Sequence, residues 1–201
     1  MADGREEHVW SNHAQEHRAI KEYKIPDDQV MRKWALSYLG ENARVVDYGC
    51  GSGLWKDLFR GFAYEGLDQN PEMIKVAQDR YPEEAYRFRV TQWDKIPLPD
   101  ASVDCVFTSS VIQHNTHEHK RRILTEFQRI VKPGGFYIMT ENTFRPDNYQ
   151  QHPVLGQEPV FRPDMEDGYS FTAQGWNAFI QEFGFRPVAY SHPSEYIFQR
   201  I

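Results

Sequence analysis

One segment constrains the fold more than any other, namely Val45-Val46-Asp47-Tyr48-Gly49-Cys50-Gly51-Ser52-Gly53. An apolar run leads directly into three glycines at alternate positions, which predicts a buried strand, a tight turn and then a helix. Glycines there let the backbone approach a ligand closely, at the carboxyl end of a strand where open sheets bind their ligands. Dinucleotide-binding loops follow G-x-G-x-x-G, whereas here the third glycine comes one position early and Leu54 follows it. The spacing therefore makes nicotinamide chemistry the minor interpretation.

From residue 43 onward, short apolar runs alternate with helical patterns, which predicts an α/β fold whose mainly parallel sheet has helices on both faces. The predicted strands are 43–48, 63–67, 86–90, 103–109, 136–140, 185–190 and 196–201. The clearest predicted helices cover 26–39, 117–131 and 173–183. Asn115 and Glu118 are spaced as a cap for the second of these helices, and Pro133-Gly134-Gly135 is expected to stop it. Asn70 and Pro71 suit the start of a further helix.

The chain of 201 residues has the length of one large domain. Residues 1–40 predict a helical cap, and residues 41–201 the main domain. Between the fifth strand and the last helix, residues 142–171 show no clear period, and loops of this length usually bind substrate or are disordered. With 40% apolar residues the chain can bury a substantial core, so intrinsic disorder is excluded as its main state.

The net charge and the number of cysteines limit the kinds of binding partner and the cellular compartment that we expect. The formal net charge of −6 offers no overall attraction for a polyanion, so nucleic acid is a disfavoured partner, although a local basic patch stays open. Two cysteines, Cys50 and Cys105, suit a reducing compartment. No apolar run approaches the roughly 20 residues of a membrane span, and the N-terminus lacks an apolar signal core. We therefore expect a cytoplasmic protein without a membrane partner; its oligomeric state stays open.

An acid ends the second predicted strand, since Tyr64-Glu65-Gly66-Leu67 leads into Asp68, fifteen residues after Gly53. A carboxylate at such a strand end can accept hydrogen bonds from both hydroxyls of a ribose. The alternative is that Asp68 caps the helix that follows, but Asn70 and Pro71 already suit that role. The pattern favours ribose binding by Asp68.

The glycine loop and Asp68, followed in order by four further segments, resemble the class I S-adenosylmethionine-dependent methyltransferases, in particular the small single-domain type that acts on small molecules. The four segments are Thr91 to Asp100, Val103 to Ser110, Lys132 to Phe136 and Gly184 to Val188. The resemblance runs from about residue 30 to the C-terminus. It implies a Rossmann-like seven-stranded sheet whose last strand is antiparallel, S-adenosyl-L-methionine as cofactor, and S-adenosyl-L-homocysteine as product.

The same resemblance assigns residues to the cofactor. Asp47 and the glycine loop should hold its methionine part, Asp68 its ribose, and a further group its adenine. Gln92 stands where many relatives carry an acid, and its amide oxygen can also accept a hydrogen bond from the adenine amino group. The residues expected around the cofactor are Asp47, Gly49, Cys50, Gly51, Gly53, Asp68, Gln69, Gln92, Trp93, Ser109, Trp10 and Tyr23.

Methyl transfer from a sulfonium needs mainly alignment of the reactants, but an oxygen or nitrogen nucleophile can also require a base. His114, after the fourth strand, and Glu141, at the end of the fifth, are the catalytic candidates. The alternatives are a pocket-lining role for His114, and a loop-start hydrogen bond or a contact with the substrate for Glu141. His117 and His119 extend a histidine cluster, yet no acid or cysteine pattern completes a metal site, so no metal is predicted.

Four residues of the long loop could clamp a polar or anionic substrate: Arg145, His152, Arg162 and Tyr169. The predicted acceptor is O or N of a small or medium-sized metabolite. Three alternatives stay open. They are a catalytically inactive cofactor-binding accessory subunit, a peptide or protein methyltransferase, and a nicotinamide oxidoreductase.

Overall fold

The structure, a computed structural model, describes residues 30–141, 160–161, 169–170, 173–192 and 195–201. The helices in these residues are α1 (Val30–Tyr38), α2 (Pro71–Arg80), α3 (His117–Ile130) and α4 (Ala173–Gln181). The strands are β1 (Arg44–Tyr48), β2 (Ala63–Asp68), β3 (Phe88–Val90), β4 (Val103–Ser109), β5 (Val131–Thr140), β6 (Val160–Phe161), β7 (Tyr169–Ser170), β8 (Phe185–His192) and β9 (Glu195–Arg200). Short 3-10 helices cover Lys56–Phe59, Pro82–Arg87 and Ile112–His114.

The chain divides into two compact units, Met1–Pro97 and Leu98–Ile201. In the first unit β1, β2 and β3 are parallel neighbours, and Gly66 of β2 lies opposite both Asp47 and Phe88. The β1 and β2 strands are largely buried, as their apolar runs predict. The N-terminus of α2 is capped by Asn70, whose side chain accepts hydrogen bonds from two backbone N–H groups, and Pro71 takes its first position. This confirms the predicted start of the helix.

In the second unit β4 pairs in parallel with β5, β9 runs antiparallel to β5, and β8 runs antiparallel to β9. The apolar faces predicted for α3 and α4 are buried. Their buried residues include Ile123, Leu124, Phe127, Ile130, Trp176, Phe179 and Ile180. Burial of a continuous stripe at helical spacing is what attaches an otherwise polar helix such as α3 to its domain.

Seven strands form a sheet in the order β3-β2-β1-β4-β5-β9-β8. The sheet is mainly parallel, and β9, the last strand along the chain, is the antiparallel one. This confirms the predicted α/β class with a Rossmann-like seven-stranded sheet and an antiparallel last strand. A separate pair of two-residue strands, β6 and β7, lies in the segment predicted as a long loop. No helix in the described ranges is long and apolar enough to cross a lipid bilayer.

The helix predicted directly after the glycine loop is wrong, because that stretch holds the 3-10 helix Lys56–Phe59 instead. β2 begins at Ala63, and the residues left after Gly53 are fewer than the roughly 11–12 of an average α-helix. The chain therefore returns to the sheet through tight turns. This shortness could have been read from the spacing between Gly53 and the next apolar run.

The predicted N-cap of α3 is also wrong. Its cap is Thr116, whose side chain accepts a hydrogen bond from the N–H of His119 at 3.3 Å. Asn115 instead donates from its side chain to the carbonyl of Val111 at 2.8 Å. In addition, α3 ends at Ile130 and β5 begins at Val131, so Pro133 and the glycines after it lie inside the assigned strand.

We expect Gly66→Ala to destabilise the fold, because a Cβ on Gly66 would lie 2.7 Å from Phe88 Cδ1 and 2.9 Å from Cys50 Sγ. Overpacking of a buried site costs about 1–3 kcal/mol of the free energy of unfolding. Gly40→Ala is the matched control, since a Cβ there meets nothing within 4 Å. Urea denaturation of both variants measures the difference; equal midpoints would show that β2 and β3 can separate to accept the methyl group.

Candidate functional site

The loop after β1 adopts a backbone that side chains other than glycine rarely reach. Gly51 has φ of 51° and Gly53 has φ of 74°. A Cβ would also lie 3.0 Å from Met73 Cε at Gly51 and 2.9 Å from Phe88 Cε1 at Gly53. The loop therefore needs glycine at both positions, because of its backbone conformation and because it packs closely against other side chains of the first unit.

Asp68, the last residue of β2, joins this loop to the start of α2. Its Oδ2 accepts a hydrogen bond from the N–H of Gly51, and its Oδ1 accepts one from the N–H of Asn70, each at 2.8 Å. Burial raises the pKa of Asp68 above its ordinary value, and the two N–H groups oppose that shift. Each carboxylate oxygen has two acceptor sites, so Asp68 keeps capacity for further donors.

Asp47 lies on β1 just before the loop and is fully buried. Its Oδ2 accepts a hydrogen bond from the hydroxyl of Tyr64 at 2.7 Å. Within the described residues its Oδ1, which is also buried, has no hydrogen-bond partner. Burial raises the pKa of Asp47 to about 7; the bond from Tyr64 lowers it and the nearby Asp68 raises it. A buried carboxylate oxygen without a donor is costly, and it marks a place for an external cation or donor.

The segment after β3 is tied to the same place by two contacts. The N–H of Thr91 donates to the carbonyl of Asp68 at 2.9 Å. The hydroxyl of Tyr48 donates to the carbonyl of Trp93. The side chains of Gln69 and Gln92 are exposed, and Trp93 is half-buried. The first unit thus brings together the acids, the glycine loop and the segment predicted to meet adenine.

Cys50 contributes a buried thiol to the loop rather than a reactive group. Burial raises its pKa well above the ordinary value, and the neighbouring carboxylates of Asp47 and Asp68 raise it further. The Sγ lies against the position where Gly66 would carry a Cβ. A thiol that resists ionisation is a weak nucleophile, so Cys50 acts as a small filler.

These features fit a ligand that carries an ammonium group, a ribose and a flat base. The open Oδ1 of Asp47 suits the ammonium group. The remaining acceptor capacity of Asp68 suits the ribose hydroxyls. The amino-acid, ribose and adenine parts of S-adenosylmethionine have this composition.

The second unit holds Glu141, predicted as catalytic, directly after β5 and fully buried. Its Oε1 accepts from the N–H groups of Val111 and Ile112 at 3.1 and 3.2 Å and from the Thr108 hydroxyl at 3.0 Å. Its Oε2 accepts from the N–H of Gln113 at 3.0 Å. Burial raises the pKa of Glu141, and these N–H donors lower it. With both oxygens engaged, Glu141 holds the turn that follows β4, which favours the structural alternative over proton transfer.

That turn carries His114, in the 3-10 helix Ile112–His114. The ring is half-buried, and its Nε2 lies 3.1 Å from Nε2 of Gln113. Lys120 of α3 closes the turn from its other end, because its ammonium donates to the carbonyl of Asn115 at 2.6 Å. Burial lowers the pKa of Lys120 to about 7, while Glu141 raises it. His114 is therefore presented by a turn held between two buried charged side chains.

The sequence reasoning missed Lys120, Tyr48 and Tyr64. A signal for Lys120 was present, since it lies at i−3 and i−4 from Ile123 and Leu124, on the apolar stripe of α3. A lysine on such a stripe is buried only where its ammonium finds acceptors. The two tyrosines occupy ordinary strand positions, and nothing in their spacing shows which carbonyl or carboxylate their hydroxyls meet.

Several predicted residues lie outside the described residues, namely Trp10, Tyr23, Arg145, His152 and Arg162. Tyr169 is described only as a backbone position in β7, and Ser109 is the half-buried last residue of β4. The ring of His117 packs against Phe179, with centroids 5.1 Å apart. Among the described residues, no group of three histidine, cysteine or acidic side chains is arranged to hold a metal ion.

We expect Glu141→Ala to lower the free energy of unfolding by at least about 3 kcal/mol, because three backbone N–H groups then lose their acceptor at about 1–3 kcal/mol for each unsatisfied group. Asp100→Ala is the control; it removes an exposed carboxylate paired with Arg129, and exposed pairs contribute about 0–1 kcal/mol. Urea denaturation measures both. A loss for Glu141→Ala no larger than that of the control would contradict the structural role and return Glu141 to the catalytic candidates.

Comparison with known proteins gives a match to a family and several similar proteins. Residues 46–139 match the family described as Methyltransferase domain. A malonyl-[acyl-carrier protein] O-methyltransferase from Serratia marcescens is 32% identical over 108 residues, covering 52% of this chain and 39% of that protein. A 2-methyl-6-phytyl-1,4-hydroquinone methyltransferase from Synechocystis sp. is 28% identical over 176 residues, covering 77% of this chain and 54% of that protein. The chain thus spans about half the length of these relatives or less.

The fold also has a solved counterpart. The PH0226 protein from Pyrococcus horikoshii OT3 superposes with a TM-score of 0.67 at 19% identity, over 85% of this chain and 88% of that one. The matched family segment includes most of the glycine loop, Asp68 and the segment after β3. The resemblance to the class I S-adenosylmethionine-dependent methyltransferases expected from the motifs is confirmed, and its strongest part is the match of residues 46–139 to the Methyltransferase domain family.

Proposed function

We propose that the protein binds S-adenosylmethionine in its first unit and transfers the methyl group to an oxygen or nitrogen atom of a small or medium-sized metabolite. The observation that carries the proposal is the fully buried Asp47, whose Oδ1 has no partner among the described residues. It stands beside a loop that excludes every Cβ at Gly51 and Gly53. The open carboxylate oxygen supports a ligand with an ammonium group, such as an amino-acid nucleoside.

Each part of the cofactor has a proposed partner. The open Oδ1 of Asp47 accepts from the ammonium group of the methionine part, and the glycine loop lies against that part. Asp68, already bonded to the N–H of Gly51, accepts from the ribose hydroxyls with its remaining capacity. Gln69, Gln92 and Trp93 surround the adenine; the carbonyl of Trp93 is held by Tyr48. One carboxylate thereby orders both the loop and the ribose.

When bound, S-adenosylmethionine supplies a methyl group that is already activated by a sulfonium. The work left to the chain is therefore alignment, exclusion of water and, for a protonated acceptor, removal of a proton. His114 is the proposed base, because an imidazole nitrogen can accept a proton and the turn that bears this residue is fixed by Glu141. A pocket-lining His114 is the alternative, and kinetics separates the two.

The proposed class of methyl acceptor rests on the names of the relatives and on the net charge of the chain. The relative that acts on a malonyl-[acyl-carrier protein] is named an O-methyltransferase, which supports an oxygen acceptor here, whereas the name of the hydroquinone relative gives its substrate but not the methylated atom. A formal net charge of −6 gives no general attraction for nucleic acid. We therefore propose a carboxylic acid or phenol as acceptor, with Arg145, His152, Arg162 and Tyr169 as candidate substrate contacts.

Isothermal titration tests the cofactor assignment. S-adenosylhomocysteine and S-adenosylmethionine should bind, and nicotinamide adenine dinucleotide should not. Asp68→Ala should weaken binding by at least about tenfold, because hydrogen bonds to a charged group contribute about 1.5–3 kcal/mol. Asp79→Ala is the control, since this exposed carboxylate pairs with the Lys75 ammonium one turn before it on α2. Affinity within about twofold for Asp68→Ala would contradict the ribose assignment.

Transfer itself is tested by incubating the protein with labelled S-adenosylmethionine and separate pools of carboxylic acids, phenols, peptides and tRNA. Label in the acids or phenols supports the proposed acceptor class. Label in the peptide or tRNA pool replaces it with that class. Tight cofactor binding without transfer to any pool would favour the accessory subunit over the enzyme.

With a phenol or another acceptor that keeps its proton at neutral pH identified, His114→Ala should lower the rate at saturating substrates by about 10²-fold or more, since positioned bases contribute about 10²–10⁴-fold. A carboxylic acid is already ionised at neutral pH and needs no base. The affinity for S-adenosylhomocysteine should stay unchanged. His119→Ala serves as the matched histidine control, because that residue lies in the first turn of α3 rather than in the turn after β4. A loss below about tenfold would leave His114 as a pocket-lining residue.

A further inference from the structure

We propose that Tyr64 is a positioning residue, which holds the Asp47 carboxylate by one oxygen so that the other stays open for the ammonium group of the cofactor. The inference rests on the proposed cofactor function and adds to it a residue that lies outside the glycine loop. Tyr64 is the second residue of β2, and its hydroxyl donates to Oδ2 of Asp47 at 2.7 Å. No motif in the sequence singles it out.

The ring of Tyr64 is fixed independently of that hydrogen bond. It stacks on Phe59 with centroids 6.2 Å apart and meets Phe88 edge-on at 5.9 Å. The side chain is buried. The hydroxyl therefore reaches Asp47 from a rigid aromatic cluster, and removal of the hydroxyl alone leaves that cluster filled by a phenyl ring.

The direction of the hydrogen bond is also fixed. Burial raises the pKa of Tyr64 well above its ordinary value, and the adjacent Asp47 raises it further. The proton accordingly stays on Tyr64, which acts only as a donor to the carboxylate. Because Oδ2 is engaged in this way, Oδ1 is the oxygen left for a ligand, and it is buried without a partner in the described part of the chain.

Protonation of Asp47 competes with the ligand. Its pKa is raised to about 7 by burial, so below about pH 7 the free protein must release a proton before an ammonium group can bind. The affinity for an amino-acid nucleoside should therefore fall as the pH falls below about 7, by up to about tenfold per pH unit. Above pH 7 this dependence fades, until at higher pH the α-amino group of the ligand itself loses its proton.

Other titratable groups face Asp47 and must be counted. Asp68 and Tyr64 approach from β2, Cys50 from the loop, and Tyr81 acts on Tyr64. Burial raises the pKa of the thiol and of both phenols, so these groups stay protonated at neutral pH. Asp68 is the one other group among them whose charge bears on the binding curve, and its titration is followed separately.

The test compares Tyr64→Phe with the unsubstituted protein by isothermal titration between pH 6 and pH 8, with two probes. S-adenosylhomocysteine carries the amino-acid part, and 5′-methylthioadenosine lacks it. Tyr64→Phe removes the donor that stabilises ionised Asp47, so the affinity for S-adenosylhomocysteine should fall by at least about tenfold at pH 6 and by less at pH 8. The affinity for 5′-methylthioadenosine should change by less than about twofold.

Tyr137→Phe is the matched control. It removes the hydroxyl of a fully buried tyrosine that is hydrogen-bonded to Thr108 at 2.9 Å in the second unit, and it should leave both affinities unchanged. A ligand-free readout accompanies the titration. The carboxyl carbon signals of Asp47 and Asp68, followed by NMR, should show the Asp47 titration moving to higher pH in Tyr64→Phe.

The outcomes separate the two proposals. If the unsubstituted protein binds neither probe at any pH, the cofactor function fails and the role of Tyr64 falls with it. If it binds and Tyr64→Phe shows the same S-adenosylhomocysteine affinity, only the role of Tyr64 is overturned. An equal loss for both probes, or a loss independent of pH, would also overturn it, because packing rather than the Asp47 carboxylate would then explain the change.

Discussion

Buried carboxylates that must find donors organise this protein more than any other interaction. Asp68 takes one backbone N–H from the glycine loop and one from the start of α2. Glu141 takes three N–H groups from the turn after β4 and a threonine hydroxyl besides. The backbone N–H groups of a loop that leaves a strand find few carbonyl acceptors near the strand end. A carboxylate at that place accepts hydrogen bonds from these N–H groups, so it orders the loop and leaves few of them unsatisfied. The two loops that matter for function are both ordered in this way.

The pattern of apolar residues predicted most of the fold because it reports burial directly. The strands β1, β2 and β4 and the helix α3 follow from runs and stripes that are buried in the structure. The same pattern does not report hydrogen bonds made across long stretches of sequence. Glu141 and Val111 lie thirty residues apart, and Tyr64 and Asp47 seventeen. The sequence therefore leaves a catalytic and a structural role open for Glu141, and it does not point to Tyr64.

Predictions from short sequence patterns were wrong where the number of residues between two elements, or a capping residue at the next position, determined the structure. The expected helix after the glycine loop gave way to a 3-10 turn, because β2 starts too soon after Gly53. The cap of α3 moved from Asn115 to Thr116, whose hydroxyl reaches the N–H three residues on. Neither error affects the assignment of the cofactor. That assignment rests on the spacing of the glycines and on the acid at the end of β2, and neither of these depends on the helix that follows.

Among the described residues, only one carboxylate oxygen of Asp47 accepts a hydrogen bond, whereas both oxygens of Asp68 and of Glu141 do so. This difference connects stability with function. A buried carboxylate whose pKa is raised to about 7 is less stable when ionised than the same group in the unfolded chain, so its contribution to folding stability is lost as the pH rises through that value. A ligand cation at Oδ1 would offset the cost of the buried charge. Binding to the folded state alone then stabilises it by mass action, in proportion to the logarithm of ligand concentration. Under the proposed assignment, the cofactor would relieve this unfavourable site at Asp47, and an incomplete hydrogen-bond set would become a source of affinity.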